Sequence, residues 1–260
     1  MRIKISILLL MVCLMPTVLR AQMFIGVEGG GMTYTLITDG KEDVRDIWVE
    51  NFQLSATEVT VAQWREFTID TGMDFLWEHH YAGDISELSP LEDCPIQLVR
   101  IEEAVYFCNW LSQREGLQMV YLQNGFRIIR DKNADGYRLP TTDEWDFSAR
   151  GGRLSLGYIF SGSNNPDEVA WYNLPFDEGA NSVAKKAPNE LGLYDMTGNI
   201  WEWTWPDIGI PYNASNSDEK INLRGGGWTS SIDQARLDHN LYTSVSKWSC
   251  NGFRLAKNAE

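Results

Sequence analysis

The chain has 260 residues, 22 Lys and Arg against 36 Asp and Glu, and a formal net charge of −14. Such a surface repels phosphate backbones and anionic lipid, which argues against nucleic acid or a membrane surface as a partner. Four cysteines without a CxxC do not make a disulfide framework, and 11 Trp with 10 Tyr and 10 Phe point to packing built on flat amphipathic rings.

In chain order, Arg2 and Lys4 precede Ile5 to Val18, almost wholly apolar apart from Ser6 and the helix-breaking Pro16. Leu19-Arg20-Ala21 then offers a small residue before Gln22. The pattern predicts a secretory signal peptide over residues 1–21, cleaved after Ala21. The apolar run is shorter than the roughly 20 residues a spanning helix needs, and no later segment is long enough, so no membrane span is expected. Cys13 follows Met11-Val12 without the small residue that precedes a lipid-modified cysteine. The mature chain, 22–260, is therefore expected to be secreted, periplasmic or on the cell surface. Loss of Arg2, Lys4 and Arg20 makes it three charges more negative. An oxidising compartment permits a disulfide, but Cys94, Cys108 and Cys250 are odd in number, so at least one thiol stays free.

Asp46 to Phe52 reads as one strand, rich in β-branched and aromatic residues. Thr60 with Gln63 forms a capping box for a helix that places Val61, Trp64 and Phe67 on one face. Ala104, Phe107, Cys108 and Leu111 fall at i, i+3, i+4 and i+7 of a second helix, which Gly116 stops; Cys108 thus points inward as a small apolar residue. Gly125 to Tyr137 reads as a turn-rich hairpin. Thr141 and Glu144 form another capping box, for a short helix carrying Trp145 and Ala149 and ended by Gly151-Gly152. Gly157 to Pro188 is largely irregular. Trp201, Trp203 and Trp205 alternate and share one side of an extended segment. With no repeat and no Pro/Ser-rich linker, the chain reads as one α+β domain of short elements and many loops.

Leu223 to Ala256 opens with Gly225-Gly226-Gly227-Trp228 and closes with Asn251-Gly252-Phe253-Arg254. The polar, irregular run between reads as a surface loop held at both ends, a common carrier of function. Chemistry is sparse elsewhere. His79 and His80 are adjacent, His239 is isolated, and HExxH, GxSxG and GxxxxGK[ST] are all missing, which argues against a zinc, iron or phosphate site. Asp131 to Gly136 follows D-x-N-x-D-G, but Thr142 stands where a calcium loop needs its bidentate Glu, so an Asx-rich turn is expected. Asp195 to Glu202 is a second oxygen-rich candidate, with two carboxylates around a turn.

Several segments together resemble one family, the formylglycine-generating enzymes or sulfatase-modifying factor domains. They are FIGVEGGG from Phe24, SATEVTVAQW from Ser55, AVYFCNWLS from Ala104, GYRLPTTDEWDFSARGG from Gly136, AWY from Ala170, PNELGLYDMTGNIWEW from Pro188, LRGGGW from Leu223 and NGFRL from Asn251. They occur in the family's order and span nearly all of the mature chain. The resemblance implies a single compact formylglycine-generating-enzyme-like domain, α+β, low in regular structure and related to the C-type-lectin fold. It implies a structural calcium held by the Asp195 and Glu202 side chains and the Gly198 and Ile200 carbonyls. The family's enzymes hold copper(I) on two cysteines after the glycine-aromatic signal, because copper(I) prefers sulfur. Those positions are Ser230 and Ala235 here, so copper and catalytic residues are not expected. Leu255 replaces the cysteine that commonly follows GFR, leaving Cys94–Cys108 or Cys108–Cys250 as open pairings. Val99 to Glu102 departs from the usual V-S-W-[EN], and the histidine-rich region of the related sulfoxide synthases is missing.

The favoured reading is a non-catalytic domain, a pseudoenzyme, that binds a protein or glycan through the loop Trp228 to Cys250. Its contact residues are expected to be Trp228, Ser230, Asp233, His239, Tyr242 and Trp248, rigid rings among small polar groups. Proteins diversified by reverse transcriptase vary the corresponding stretch of this fold for display. The alternative is a copper-dependent oxidase that converts a sulfatase cysteine to formylglycine on other residues. A third reading leaves the loop inert and the domain purely structural.

Overall fold

The computed structural model describes residues 22–38, 40–73, 85–212, 218–244 and 250–259. The predicted signal peptide, His79, His80 and Trp248 lie outside them. Strands β1 (Phe24–Val27), β2 (Gly30–Thr38), β3 (Lys41–Val49) and β4 (Phe52–Ser55) open the described chain. Helices α1 (Val61–Thr71), α2 (Ile85–Leu88) and α3 (Ile101–Arg114) follow, then β5 (Tyr121–Asn124), β6 (Arg127–Arg130), α4 (Thr142–Ala149) and α5 (Pro166–Val169). The remaining strands are β7 (Trp201–Trp203), β8 (Ile210–Pro211), β9 (Lys220–Arg224), β10 (Leu241–Ser244), β11 (Asn251–Gly252) and β12 (Ala256–Asn258). They form sheets β1-β4-β12, β10-β9-β7-β11, β5-β6-β8 and the ribbon β2-β3.

Both capping boxes form. Thr60 accepts from the Gln63 amide at 3.4 Å, and Gly72 ends α1 in the left-handed region. Thr141 accepts from the Glu144 amide at 3.2 Å while Glu144 accepts from the Thr141 amide at 2.8 Å. Two orphan donors of α4 are thereby satisfied. Thr141→Ala should lower the unfolding free energy by about 1 kcal/mol, measured by urea denaturation.

The single strand expected over Asp46 to Phe52 is instead two, β3 and β4. The Asn51 side chain accepts from the Gly29 amide at 2.9 Å, which turns the chain at Glu50-Asn51 and passes it to another sheet. The hairpin lies further N-terminal than expected: β5 and β6 pair with Asn124 opposite Arg127. Asp131 to Gly136 forms the turn beyond it. Asp131 accepts from the Asn133 amide, and the Asn258 amide group donates to the Lys132 and Ala134 carbonyls at 3.1 Å each, so a side-chain amide fills this Asx turn.

The largest core packs α1 and α3 against β7 and the Asn251–Leu255 segment. Trp64 stacks on Phe107 with centroids 5.7 Å apart, and Phe253 meets both edge-on. The predicted helix face, Ala104, Phe107, Cys108 and Leu111, is buried in it. A second core joins β1, β3, β4 and α4 around Trp145, Phe147 and Leu54. Trp201, Trp203 and Trp205 are all buried, because they pack into the largest core.

Candidate functional site

The glycine turn sets the site. Arg224 ends β9, and Gly225 and Gly226 follow at φ of 95° and 82°, a region costly for residues with a Cβ. A Cβ on Gly226 would stand 2.9 Å from the Ala235 Cα, so the chain folds back directly over Ala235. Ser230 closes the turn: its amide donates to the Gly227 carbonyl at 2.8 Å, and its hydroxyl accepts from the Gly227 amide at 2.9 Å. Ser230 and Ala235 are both buried against the glycines. The two positions thus meet at one turn, but they present a hydroxyl used as a cap and a methyl. Among the described residues no imidazole or carboxylate hydrogen-bonds Ser230, the contact that would activate it as a nucleophile.

Trp228 is not a contact residue. Its side chain is fully buried, its indole donates to Gln97 Oε1 at 3.4 Å, and its ring lies 5.6 Å from that of Phe176. Its amide donates to the Asn199 carbonyl, and its carbonyl accepts from Leu174. This tryptophan roots the loop in the core. His239 is half-buried, 6.1 Å from the Trp201 ring; burial, then the Arg224 charge, holds its pKa below the usual range. Asp233 and Tyr242 are exposed. The loop is also less irregular than expected, because Leu241 to Ser244 forms β10 along β9. Of the expected contact residues, Asp233 and Tyr242 lie on the surface, His239 lies partly beneath it, and Ser230 and Trp228 belong to the interior.

A network that no local pattern announces pins the root of the loop. Arg224 pairs with the buried Asp146 at 2.7 Å and donates to Asn240 Oδ1 at 2.6 Å. Asp146 also accepts from the Tyr34 hydroxyl at 2.8 Å, and the Arg150 guanidinium lies 3.9 Å from the Tyr34 ring centroid. Helix α4 and strand β2 thereby hold the loop from below.

Behind the turn lies a buried acidic cluster. Gly198 at φ 79° donates to the Gly225 carbonyl at 2.8 Å, and a Cβ there would collide with the Trp171 carbonyl. The segment Asp195 to Glu202 is thus fastened to the glycine turn. Glu202 receives Arg254 through two bonds of 2.7 Å and the Trp145 indole at 2.9 Å. Asp195 accepts from the Ala184 amide at 2.7 Å through Oδ2. Glu58, which the sequence does not single out, completes the cluster, accepting from the Asn199 amide group at 3.2 Å through Oε1. Burial, then the Asp195 charge, pushes the Glu58 carboxyl well above the usual range; burial pushes Asp195 up to about 6. Asp195 Oδ1 and Glu58 Oε2 are buried without a hydrogen-bond partner. These hard oxygens suit a calcium ion, and not copper, which needs sulfur. Among the described residues no three of His, Cys, Asp and Glu converge as a metal site, so a cation here would draw on two carboxylates and on backbone carbonyls such as those of Gly198 and Ile200. Neither open cysteine pairing forms. Cys94, Cys108 and Cys250 are all free thiols, Cys94 donating to the Ala180 carbonyl and Cys108 sitting in the main core.

The sulfatase-modifying factor enzyme 1-like domain matches residues 14–259. Chaperone protein LppX of Paenibacillus barcinonensis is 31% identical over 227 residues, 75% of either chain. Inactive C-alpha-formylglycine-generating enzyme 2 of Mus musculus is 31% identical over 254 residues, covering 85% of this chain and 80% of that protein. Among solved structures, Treponema denticola variable protein 1 superposes with a TM-score of 0.70 at 25% identity, covering 91% of this chain and 95% of that one.

Proposed function

The chain belongs to the sulfatase-modifying factor enzyme 1-like family, and from that premise we propose that it is a non-catalytic member that binds a partner. One observation carries the reading: the positions where the family's enzymes hold copper(I) are a capping serine and a buried alanine, Ser230 and Ala235. Relatives named as an inactive enzyme and as a chaperone favour it. The contact surface is the outer side of the loop, with Asp233, Tyr242 and the edge of His239. The partner is a protein or a glycan, met outside the cytoplasm after cleavage behind Ala21. Similarity to a protein named as variable suits a display surface, which a template repeat and a reverse-transcriptase gene beside this gene would establish. A structural calcium in the cluster around Asp195 steadies the loop from behind.

The test has two arms. Mature protein given copper(I), oxygen and a CxPxR peptide should yield no formylglycine by mass spectrometry; conversion would restore the oxidase reading. Co-purification from native extract should recover a partner that is lost when residues 229–250 are replaced. Tyr242→Ala with Asp233→Ala should move stability by no more than about 0.5 kcal/mol, as exposed sites do, yet reduce partner recovery. Unchanged recovery would leave the loop inert.

A further inference from the structure

Cleavage behind Ala21, as proposed above, would make Gln22 the first residue of the mature chain. The side chain of Gln22 is docked on the fold. Its Nε2 donates to the Thr57 carbonyl at 3.0 Å, and its Oε1 accepts from the Gln63 side chain at 3.1 Å. Gln63 is itself fixed, because its Oε1 accepts from the Thr60 amide at 2.9 Å in the capping box of α1. The Met23 carbonyl accepts from the Ala56 amide at 2.8 Å, so the chain enters β1 already pinned. Termini are loose unless tied down in this way. Gln22 also belongs to the wall of a cavity of about 150 Å³, with Phe24, Phe107, Trp110 and Leu111. The Glu115 carboxylate on the same wall accepts from the Tyr137 hydroxyl. Among the described residues both hydrogen bonds of Gln22 use its side-chain amide.

We propose that the mature chain begins with a pyroglutamyl lactam made from Gln22, and that this lactam is seated between Thr57 and Gln63. The proposal rests on cleavage behind Ala21 and is independent of the loop's partner. An N-terminal glutamine carries its own nucleophile and electrophile. The α-amino nitrogen attacks Cδ and forms the new N–C bond. The Cδ–Nε2 bond breaks, and one proton passes from the α-nitrogen to Nε2, which leaves as ammonia. The step needs no oxidant, reductant or cofactor. The product suits the seat. A lactam carries its N–H and carbonyl side by side on one edge, as a primary amide does. The ring N–H can replace Nε2 at the Thr57 carbonyl, and the same oxygen keeps the Gln63 bond. Cyclisation removes the terminal charge, and a neutral cap costs less to dock beside apolar side chains than an ammonium. Outside the cytoplasm such an end also resists ordinary aminopeptidases.

The test is the intact mass of mature protein purified from its native source. Wild type should have the mass of residues 22–260 less one ammonia. Gln22→Asn, whose shorter side chain cannot close the ring, should start at the same position and lose none. Pyroglutamyl aminopeptidase reads the seat. It should release the lactam from the N-terminal peptide of a tryptic digest, and at least about tenfold more slowly from the native protein, because a docked terminus must open first. Gln63→Glu keeps the acceptor that the Thr60 amide needs and deletes the N–H that reaches Gln22. It should speed release from the native protein about fivefold, as the loss of one hydrogen bond allows. A mass of 22–260 with the ammonia retained overturns the proposal and leaves the cleavage standing. A different first residue overturns both. Release as fast from the native protein as from the peptide, or unchanged by Gln63→Glu, overturns the seat.

Discussion

Arg254→Met should lower the unfolding free energy by about 3–5 kcal/mol, the usual result of stripping a buried charge of its only counter-ion. For a domain of this size that is on the order of 10 °C in melting temperature. Arg254 is fully buried, pairs with Glu202 through two bonds of 2.7 Å, and donates to the Ser55 and Tyr194 carbonyls at 3.2 and 3.0 Å. Its loss leaves Glu202 charged in a buried site that already holds Glu58 and Asp195. The measurement is thermal unfolding followed by near-ultraviolet circular dichroism, which Trp145 and Trp203 should dominate locally. A second variant separates charge from packing. Arg254→Met combined with Glu202→Met removes both charges, and buried pairs replaced by apolar side chains are often neutral or better. The double variant should therefore recover much of the loss. Equal damage in both would mean that the backbone bonds of Arg254, and not its charge, hold the fold.

Ser230→Cys with Ala235→Cys should create a site that binds a single copper(I) ion. The backbone that brings the two positions together is intact: Gly226 folds onto Ala235, and Ser230 caps the same turn at Gly227. Two thiolates there supply the soft ligands that a hydroxyl and a methyl cannot. Competition with bicinchoninate reads the affinity, and each single variant should bind far more weakly. Absence of binding in the double variant would mean that this loop no longer keeps the family's spacing. Peptide conversion is a stricter demand, since it also requires a groove that seats the peptide.

Local signals read from the sequence held where their partners are local. Thr60 with Gln63, Thr141 with Glu144 and the Ala104 to Leu111 face each involve residues within two turns of one another. The glycine turn and the Asn251–Arg254 segment were legible as a frame for the same reason: positive φ and close packing leave a mark in residue type. What failed depended on distant residues. Trp228 among polar neighbours looks like a contact residue until its partner Gln97 is seen, 131 positions away. Asn51 breaks a good strand pattern through Gly29, 22 positions earlier. Glu58 sits in a run that reads simply as the lead into a helix, and its bond to Asn199 spans 141 positions. Buried charges are set by tertiary neighbours, and nothing within one window of sequence reports them.

The sheet β1-β4-β12 has a consequence in time. Leu54 of β4 pairs with Ala256, and Arg254 reaches the Ser55 carbonyl across 199 positions. Contacts of such separation are formed late, because a long loop must close before they contribute. A nascent chain must carry strands β1 and β4, and the Trp64–Phe107 core, unsealed until residues 251–258 have left the ribosome. Throughout synthesis it should remain protease-sensitive and open to chaperones, then fold in one late step. Ribosome-stalled chains carrying a linker long enough to fill the exit tunnel, fused after Cys250 or after Glu260 and compared by limited proteolysis, would show that transition directly.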